Sequence, residues 1–235
     1  MQRPRKTHRE MNNGRGEWLR DLILGGQDGL VNVLGLVLGV ATATSDSRIV
    51  IVAGLAAMFA EGISMGAVAY TSSKATLEFY ARERAREKQE IQEFPRVERE
   101  EVRTIYRKKG FRGELLEKIV DTLTGDHERW LNVMMEEELK LEKPVESPLQ
   151  SAIVVTIAAL IGAVFPIIPY FFMSVAEANL ITVPFSLVIL FIAGAWKGRY
   201  TKVAWWRSGL ELALIGIGAA LIGYLIGSWL SVPLG

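Results

Sequence analysis

The sequence predicts an all-α membrane protein of five transmembrane helices, with a charged helical domain inserted between the second and third. Three observations carry that prediction. The 235 residues are 50% hydrophobic, yet the apolar residues come in blocks instead of being spread as a soluble core would spread them. Five blocks, at 22–43, 49–71, 149–173, 180–196 and 209–230, approach the roughly 20 residues a helix needs to cross a hydrocarbon core of about 30 Å. Between the second and third, residues 78–146 hold 18 of the chain's 26 acidic residues and 15 of its 27 basic ones. The expected organisation is a basic arm (1–21), a transmembrane hairpin (22–77), the charged domain (78–146) and three further spans (147–235).

The arm carries Arg3, Arg5, Lys6, Arg9, Arg15 and Arg20. The first apolar block is too long for the core of a signal peptide, so the arm is expected to be retained. Span one meets span two through Thr44-Ser45-Asp46-Ser47, which makes the pair an antiparallel hairpin. Span two meets no breaker after Tyr70 and stays helix-friendly to Glu93, predicting one long helix that leaves the membrane. Phe94-Pro95 ends it, because the residue before proline avoids the α region and proline suits the first turn of the next helix. Three short helices follow: 96–109 closed by Gly110, 112–124 closed by Gly125, and 126–142 ended before Pro144. Their core is expected from Ile105, Tyr106, Phe111, Leu115, Leu116, Ile119, Val120, Leu123, Trp130, Leu131 and Val133.

Only Arg48 lies in the loop between spans one and two, whereas Lys197, Arg199, Lys202 and Arg207 lie between spans four and five. The positive-inside rule then places the amino terminus, the charged domain and the 197–207 loop in the cytoplasm and the carboxyl terminus outside. Trp205, Trp206 and Trp229 fall where interfacial indoles belong. The expected location, with no targeting extension, is a prokaryotic plasma membrane.

The residues that carry chemistry are carboxylates and thioethers. With no cysteine, neither a disulfide nor a thiolate metal site is possible. No phosphate-binding loop is present, which argues against an ATP-driven pump. Thr124 stands three residues before His127, and His8 is the only other histidine, so the Glu-x-x-His of a di-iron oxidase is missing. No prosthetic group and no nucleic-acid partner are expected. Asp28, within Gly25-Gly26-Gln27-Asp28-Gly29 of span one, costs about 2.5–3.5 kcal/mol in a bilayer unless it has a partner, a proton or a passing cation. Met58, Glu61 and Met65 share one face of span two, and a thioether beside a carboxylate suits a borderline transition metal better than calcium or magnesium. Asp28 and Glu61 are the candidates for proton coupling.

In the charged domain, Glu87 with Glu90 and Glu98 with Glu101 each lie one helical turn apart, and the Phe94-Pro95 break could fold the pairs together. With Glu138, Met134 and Met135 they would make a cluster suited to Fe²⁺ or Mn²⁺. The competing reading is a solvated helix face whose glutamates pair with nearby Arg and Lys. Gly35/Gly39 and Gly62/Gly66 allow close helix approach, either within one chain or across a dimer. The odd span count and the lack of internal repeats argue against an inverted-repeat transporter in one chain, so a pathway calls for two chains.

Together these residues resemble the vacuolar iron transporter family of plants and yeast and its prokaryotic relatives, over 22–227. The resemblance rests on Asp28-Gly29, on Ser64-Met65 with Tyr70, on the charged insert, on Pro166-Ile167-Ile168-Pro169-Tyr170, and on Gly223-Tyr224-Leu225-Ile226-Gly227. It implies a five-span homodimer that exports Fe²⁺ from the cytosol in exchange for protons. It also implies that Asp28 and Met65 line the path, and that Glu87, Glu90, Glu98, Glu101, Met134, Met135 and Glu138 bind metal in a cytoplasmic domain. Gln27 and Ala69 stand where many relatives have Asn and Glu, and Glu61 stands where a small residue is common. The expected function is proton-coupled transport of a divalent metal, Fe²⁺ with Mn²⁺, Co²⁺ or Zn²⁺ as the other candidate cargoes. The rival is a membrane-anchored metal sensor or storage adaptor that transports nothing.

Overall fold

The structure is a computed structural model that describes residues 15–144 and 147–230; Arg3, Arg5, Lys6, His8 and Arg9 of the basic arm lie outside them. Among the described residues the chain is helical, without strands. The helices are α1 (Arg15–Ala43), α2 (Ser47–Glu93), α3 (Pro95–Lys108), α4 (Gly113–Thr124), α5 (His127–Val133), α6 (Pro148–Ile167), α7 (Val175–Tyr200) and α8 (Trp205–Leu230). A π-helical turn, Met134–Glu138, continues α5, and a 3₁₀ turn, Ile168–Phe171, continues α6. Two compact units result, one made of the residues up to Thr71 and from Pro148 onward, the other of Ser72–Ser147.

The first unit contains the five helices long and apolar enough to cross a membrane: α1, the apolar part of α2, α6 with its 3₁₀ turn, α7 and α8. Local chemistry sets their ends. The Asp46 carboxylate accepts the Arg48 backbone N–H at 2.8 Å in the first turn of α2. A capping box between Ser174 and Glu177 starts α7, so that helix begins ahead of the apolar block at 180. Pro169 lacks the N–H that would continue α6, and the last turn tightens to 3₁₀.

Small residues hold this unit together. A Cβ on Gly25 or Gly29 of α1 would lie 2.4 Å from the Val155 carbonyl or 2.2 Å from the Ala159 carbonyl of α6. Further along α1, the Gly35 and Gly39 carbonyls would stand 2.0 and 2.2 Å from a Cβ on Gly223 and Gly227 of α8. The Gly35/Gly39 seam is therefore closed within the chain. Gly62 and Gly66 of α2 are likewise opposed by Leu160 and Thr156 of α6. Val33, Val37, Met58, Ala163, Ile167 and Tyr170 fill the centre, while Ile63, Leu180, Leu214 and Trp229 face outward, as lipid contact requires.

In the second unit, the charged end of α2 and the helices α3 to α5 surround a core of Ile91, Val102, Leu116, Val120, Trp130, Leu131, Met134 and Met135. Three sequence expectations change here. Leu115 is 57% exposed, because Leu116 and Val120, four apart, take the inward face of α4. Ile105 and Ile119 are half-buried beside the core, and Met134 and Met135 are sealed within it. The third short helix stops at Glu138 instead of running to 142: Leu139 N–H bonds the Met134 carbonyl at 3.1 Å, five residues back, and Lys140 then turns to φ +55°.

Gly223→Ala should force the α1 and α8 backbones apart and cost about 1–3 kcal/mol, as overpacking does. Gly218→Ala, with nothing within 4 Å of its new Cβ, should leave stability unchanged or slightly raised. Thermal unfolding of the two variants in detergent distinguishes them.

Candidate metal site

Two groups of carboxylates stand out, one in each unit. In the charged unit, Glu87 sits near the end of α2 and Glu98 in the first turn of α3, brought back against α2 by the Phe94-Pro95 break. Glu138 ends the π-helical turn. Carboxylate oxygens of Glu87, Glu98 and Glu138 all lie within 4.8 Å of one another. Glu87 and Glu98 are 1% and 6% exposed, and Glu138 is open to solvent.

The surrounding charges separate this group from an ordinary polar face. Most of the neighbouring acidic residues are paired: Asp121 with Arg99, Glu100 and Glu117 with Arg103, Glu83 with Arg82 and Arg86, Glu128 with Arg84. Among the described residues no ion pair reaches Glu87, Glu98 or Glu138, and Glu87 Oε1 and Glu98 Oε2 are buried without a hydrogen-bond partner. Buried, unpartnered carboxylate oxygens are costly unless something positive joins them. Burial first, then the Glu138 charge and the neighbouring Glu98, push the Glu87 carboxyl up to about 8. Although the residue as a whole is exposed, partial desolvation of its carboxyl against the cluster and the charges of Glu101 and Glu98 push Glu138 up to about 7. Glu98 is also raised, by burial and by the Glu101 charge. A divalent cation takes carboxylate oxygens at about 2.1–2.5 Å, so a modest closure of the three groups would surround one.

The other expected ligands are distributed around this core. Glu101 and Glu138 line a cleft of about 310 Å³ with Val97, Thr104 and Lys108. Glu90 stands 3.7 Å from the Arg86 guanidinium and contributes charge to the cluster from one turn beyond Glu87. Met134 and Met135 are 0% and 1% exposed, packed among Ile91, Val102 and Trp130.

In the membrane unit, the side chains of Asp28 and Asn32, one turn apart on α1, face the Glu61 carboxylate of α2. Asp28, Glu61 and Met65 are half-buried and Asn32 is exposed. Met58, on the same face of α2, belongs to the apolar core instead. Gln27 turns to a separate small cavity lined by α1, α6, α7 and α8. The sequence reading did not single out Asn32; the available signal was a polar side chain four residues after Asp28 in an otherwise apolar stretch.

The sequence profile of the VIT family matches residues 19–228, which include both groups. The chain belongs to the VIT family. Vacuolar iron transporter 1 of Eucalyptus grandis is 39% identical over 217 residues, covering 92% of this chain and 87% of that protein. Vacuolar iron transporter 1 of Arabidopsis thaliana is 37% identical over 221 residues, covering 93% and 88%. The vacuolar iron transporter of Plasmodium falciparum is 29% identical over 231 residues, covering 94% and 85%. These VIT relatives carry the names of transporters, not of enzymes.

The raised carboxyls set two opposite pH dependences. Glu87 holds its proton more tightly folded than unfolded, so its contribution to metal-free stability is lost as pH rises from the ordinary carboxylate range through about 8. Wild-type protein without metal should melt at a lower temperature at pH 8 than at pH 6, and Glu87→Gln should shrink that difference. Cation affinity should run the other way, rising about tenfold per pH unit for each proton displaced. Calorimetric titration with Mn²⁺ in buffers of different ionisation enthalpy counts those protons.

Proposed function

We propose that this protein transports Fe²⁺, with Mn²⁺ as a second cargo, out of the cytosol in exchange for protons, and that it works as a homodimer. The observation that carries the reading is the Asp28–Asn32–Glu61 group within the membrane helices of a chain whose relatives are named iron transporters. A simple anchor has no use for two carboxylates in apolar spans, where each costs about 2.5–3.5 kcal/mol without a partner. A proton and a divalent cation are competing partners for such a pair, and that competition is what an exchanger needs. Met65, one turn from Glu61, adds a thioether that favours Fe²⁺ or Mn²⁺ over Ca²⁺ and Mg²⁺.

A second copy of the chain supplies what one copy lacks. Asp28, Glu61 and Asn32 keep solvent-accessible surface in a single chain, and polar groups at membrane depth are tolerated where they line a cavity or meet protein. A path between the α1–α2 faces of two subunits satisfies that requirement. The Glu87–Glu98–Glu138 cluster, with Glu90, Glu101, Met134 and Met135 around it, is the cytoplasmic metal-binding domain that collects the ion. The excess of Lys and Arg on that side of the spans supports this orientation. An ion entering the membrane path must shed water, and direct bonds to Asp28 and Met65 offset that cost.

The test is Fe²⁺ uptake by proteoliposomes under an imposed pH gradient, with metal and pH dyes inside. Wild-type protein should accumulate metal against an opposing proton flux. Asp28→Ala should abolish transport, and Glu61→Gln should uncouple or stop it, both retaining the wild-type elution profile on size exclusion. Metal bound without lumenal accumulation would favour the anchored sensor or storage adaptor instead.

A further inference from the structure

Glu138 owes its position to a turn that is wound differently from the helix before it. In Met134–Glu138 the winding loosens by one residue: Leu139 N–H reaches the Met134 carbonyl, five residues back, at 3.1 Å, and Leu141 N–H then closes the helix end on the Met135 carbonyl, six residues back, at 2.9 Å. An uninterrupted α-helix would place Glu138 at a different angle around the axis. The turn also ends on Lys140 at φ +55°, a backbone conformation that a side chain disfavours. An ion pair from outside the turn can hold it in that winding.

The tether is visible beside the ligand. Lys109, the cap residue at the end of α3, makes an ion pair with Glu137, the residue before Glu138. Lys140 approaches the other Glu137 oxygen at 3.5 Å. Lys109 is itself fixed, its ammonium standing 5.0 Å from the centre of the Tyr106 ring, which packs against Phe111 at 6.1 Å. The same helix, α3, carries Glu98 and Glu101 at its other end. One ion pair thus ties the turn bearing one carboxylate to the helix bearing two.

We propose that Lys109, acting through Glu137, is a positioning residue for Glu138: it holds the 134–138 segment in its π-helical winding and so keeps the third carboxylate aimed at Glu87 and Glu98. This rests on the reading of the three glutamates as a metal site. Lys109 donates no metal ligand. Electrostatics and positioning predict opposite signs for its removal: deleting a cation near an acidic cluster would by itself tighten cation binding, whereas releasing the turn weakens it.

The experiment measures Mn²⁺ affinity of the full-length, detergent-purified protein together with backbone amide exchange of the metal-free protein. Lys109→Ala should weaken Mn²⁺ binding by about tenfold, the lower end of the range for partners that orient metal ligands. Lys109→Arg should stay near wild type, and the charge exchange Lys109→Glu with Glu137→Lys should recover most of the loss seen in either single variant. Without metal, Lys109→Ala should speed exchange at the Leu139 and Leu141 amides while Trp130, in α5, keeps its protection. Unchanged or tighter Mn²⁺ binding in Lys109→Ala overturns the proposal, and so does unchanged exchange at Leu139 and Leu141. If wild type and Glu138→Gln bind Mn²⁺ equally, the metal reading of the cluster fails and the ligand-positioning role falls with it. Faster exchange in Lys109→Ala would then leave the tether as a structural contact only.

Discussion

The membrane unit depends on how closely α1 can approach its neighbours. Within a bilayer no hydrophobic force drives helix against helix, so contact rests on van der Waals packing, which small residues allow to reach the backbone. Gly25 and Gly29 put α1 against α6, and Gly35 and Gly39 put it against α8. These seams fix the rotation of α1 about its axis. Asp28 is one residue, about 100°, around the helix from Gly29; once Gly29 is locked on Ala159, Asp28 is turned off that seam and toward Glu61. The glycines flanking Asp28 thus act as an aiming device as well as a packing surface.

The charged unit solves a different problem. Its core is small, and it must hold like charges together. Val102, Leu116, Val120, Leu131 and the two methionines supply the attraction, while Arg–carboxylate pairs on the outside hold Asp121, Glu100 and Glu117. Among the described residues, the trio Glu87, Glu98 and Glu138 has no ion pair, and two of its three members are buried. Its cost in the metal-free state is the physical basis of its affinity for protons and, in the proposed function, for a cation.

Much of this architecture was legible in the sequence because it follows from local rules. Block hydropathy located all five spans, the absence of a breaker carried α2 through to Glu93, and Pro95, Gly110 and Gly125 marked the turns between short helices. Spacing also put Glu87 with Glu90 and Glu98 with Glu101. It could not tell which member of each pair points inward, since that is decided by how α3 folds back on α2. The π-helical turn was illegible for a related reason: the Lys109–Glu137 pair proposed to hold its winding joins residues 28 positions apart, which spacing within Met134–Glu138 does not reveal. Nor does spacing distinguish Leu115 from Leu116 when both sit on an amphipathic helix.

The sealing of Met134 and Met135 bears on chemical durability. Ferrous iron in the presence of peroxide generates strong oxidants, and sulfur is the side-chain atom they attack first; a methionine sulfoxide in a packed core would be a polar wedge. The chain has no cysteine, and the only two methionines between Ser72 and Ser147 are shielded from solvent. Toward water the cluster offers carboxylate oxygens, which have no comparable oxidation chemistry. If the cluster holds a redox-active ion as proposed, oxidants formed in the surrounding water meet carboxylates before they meet sulfur.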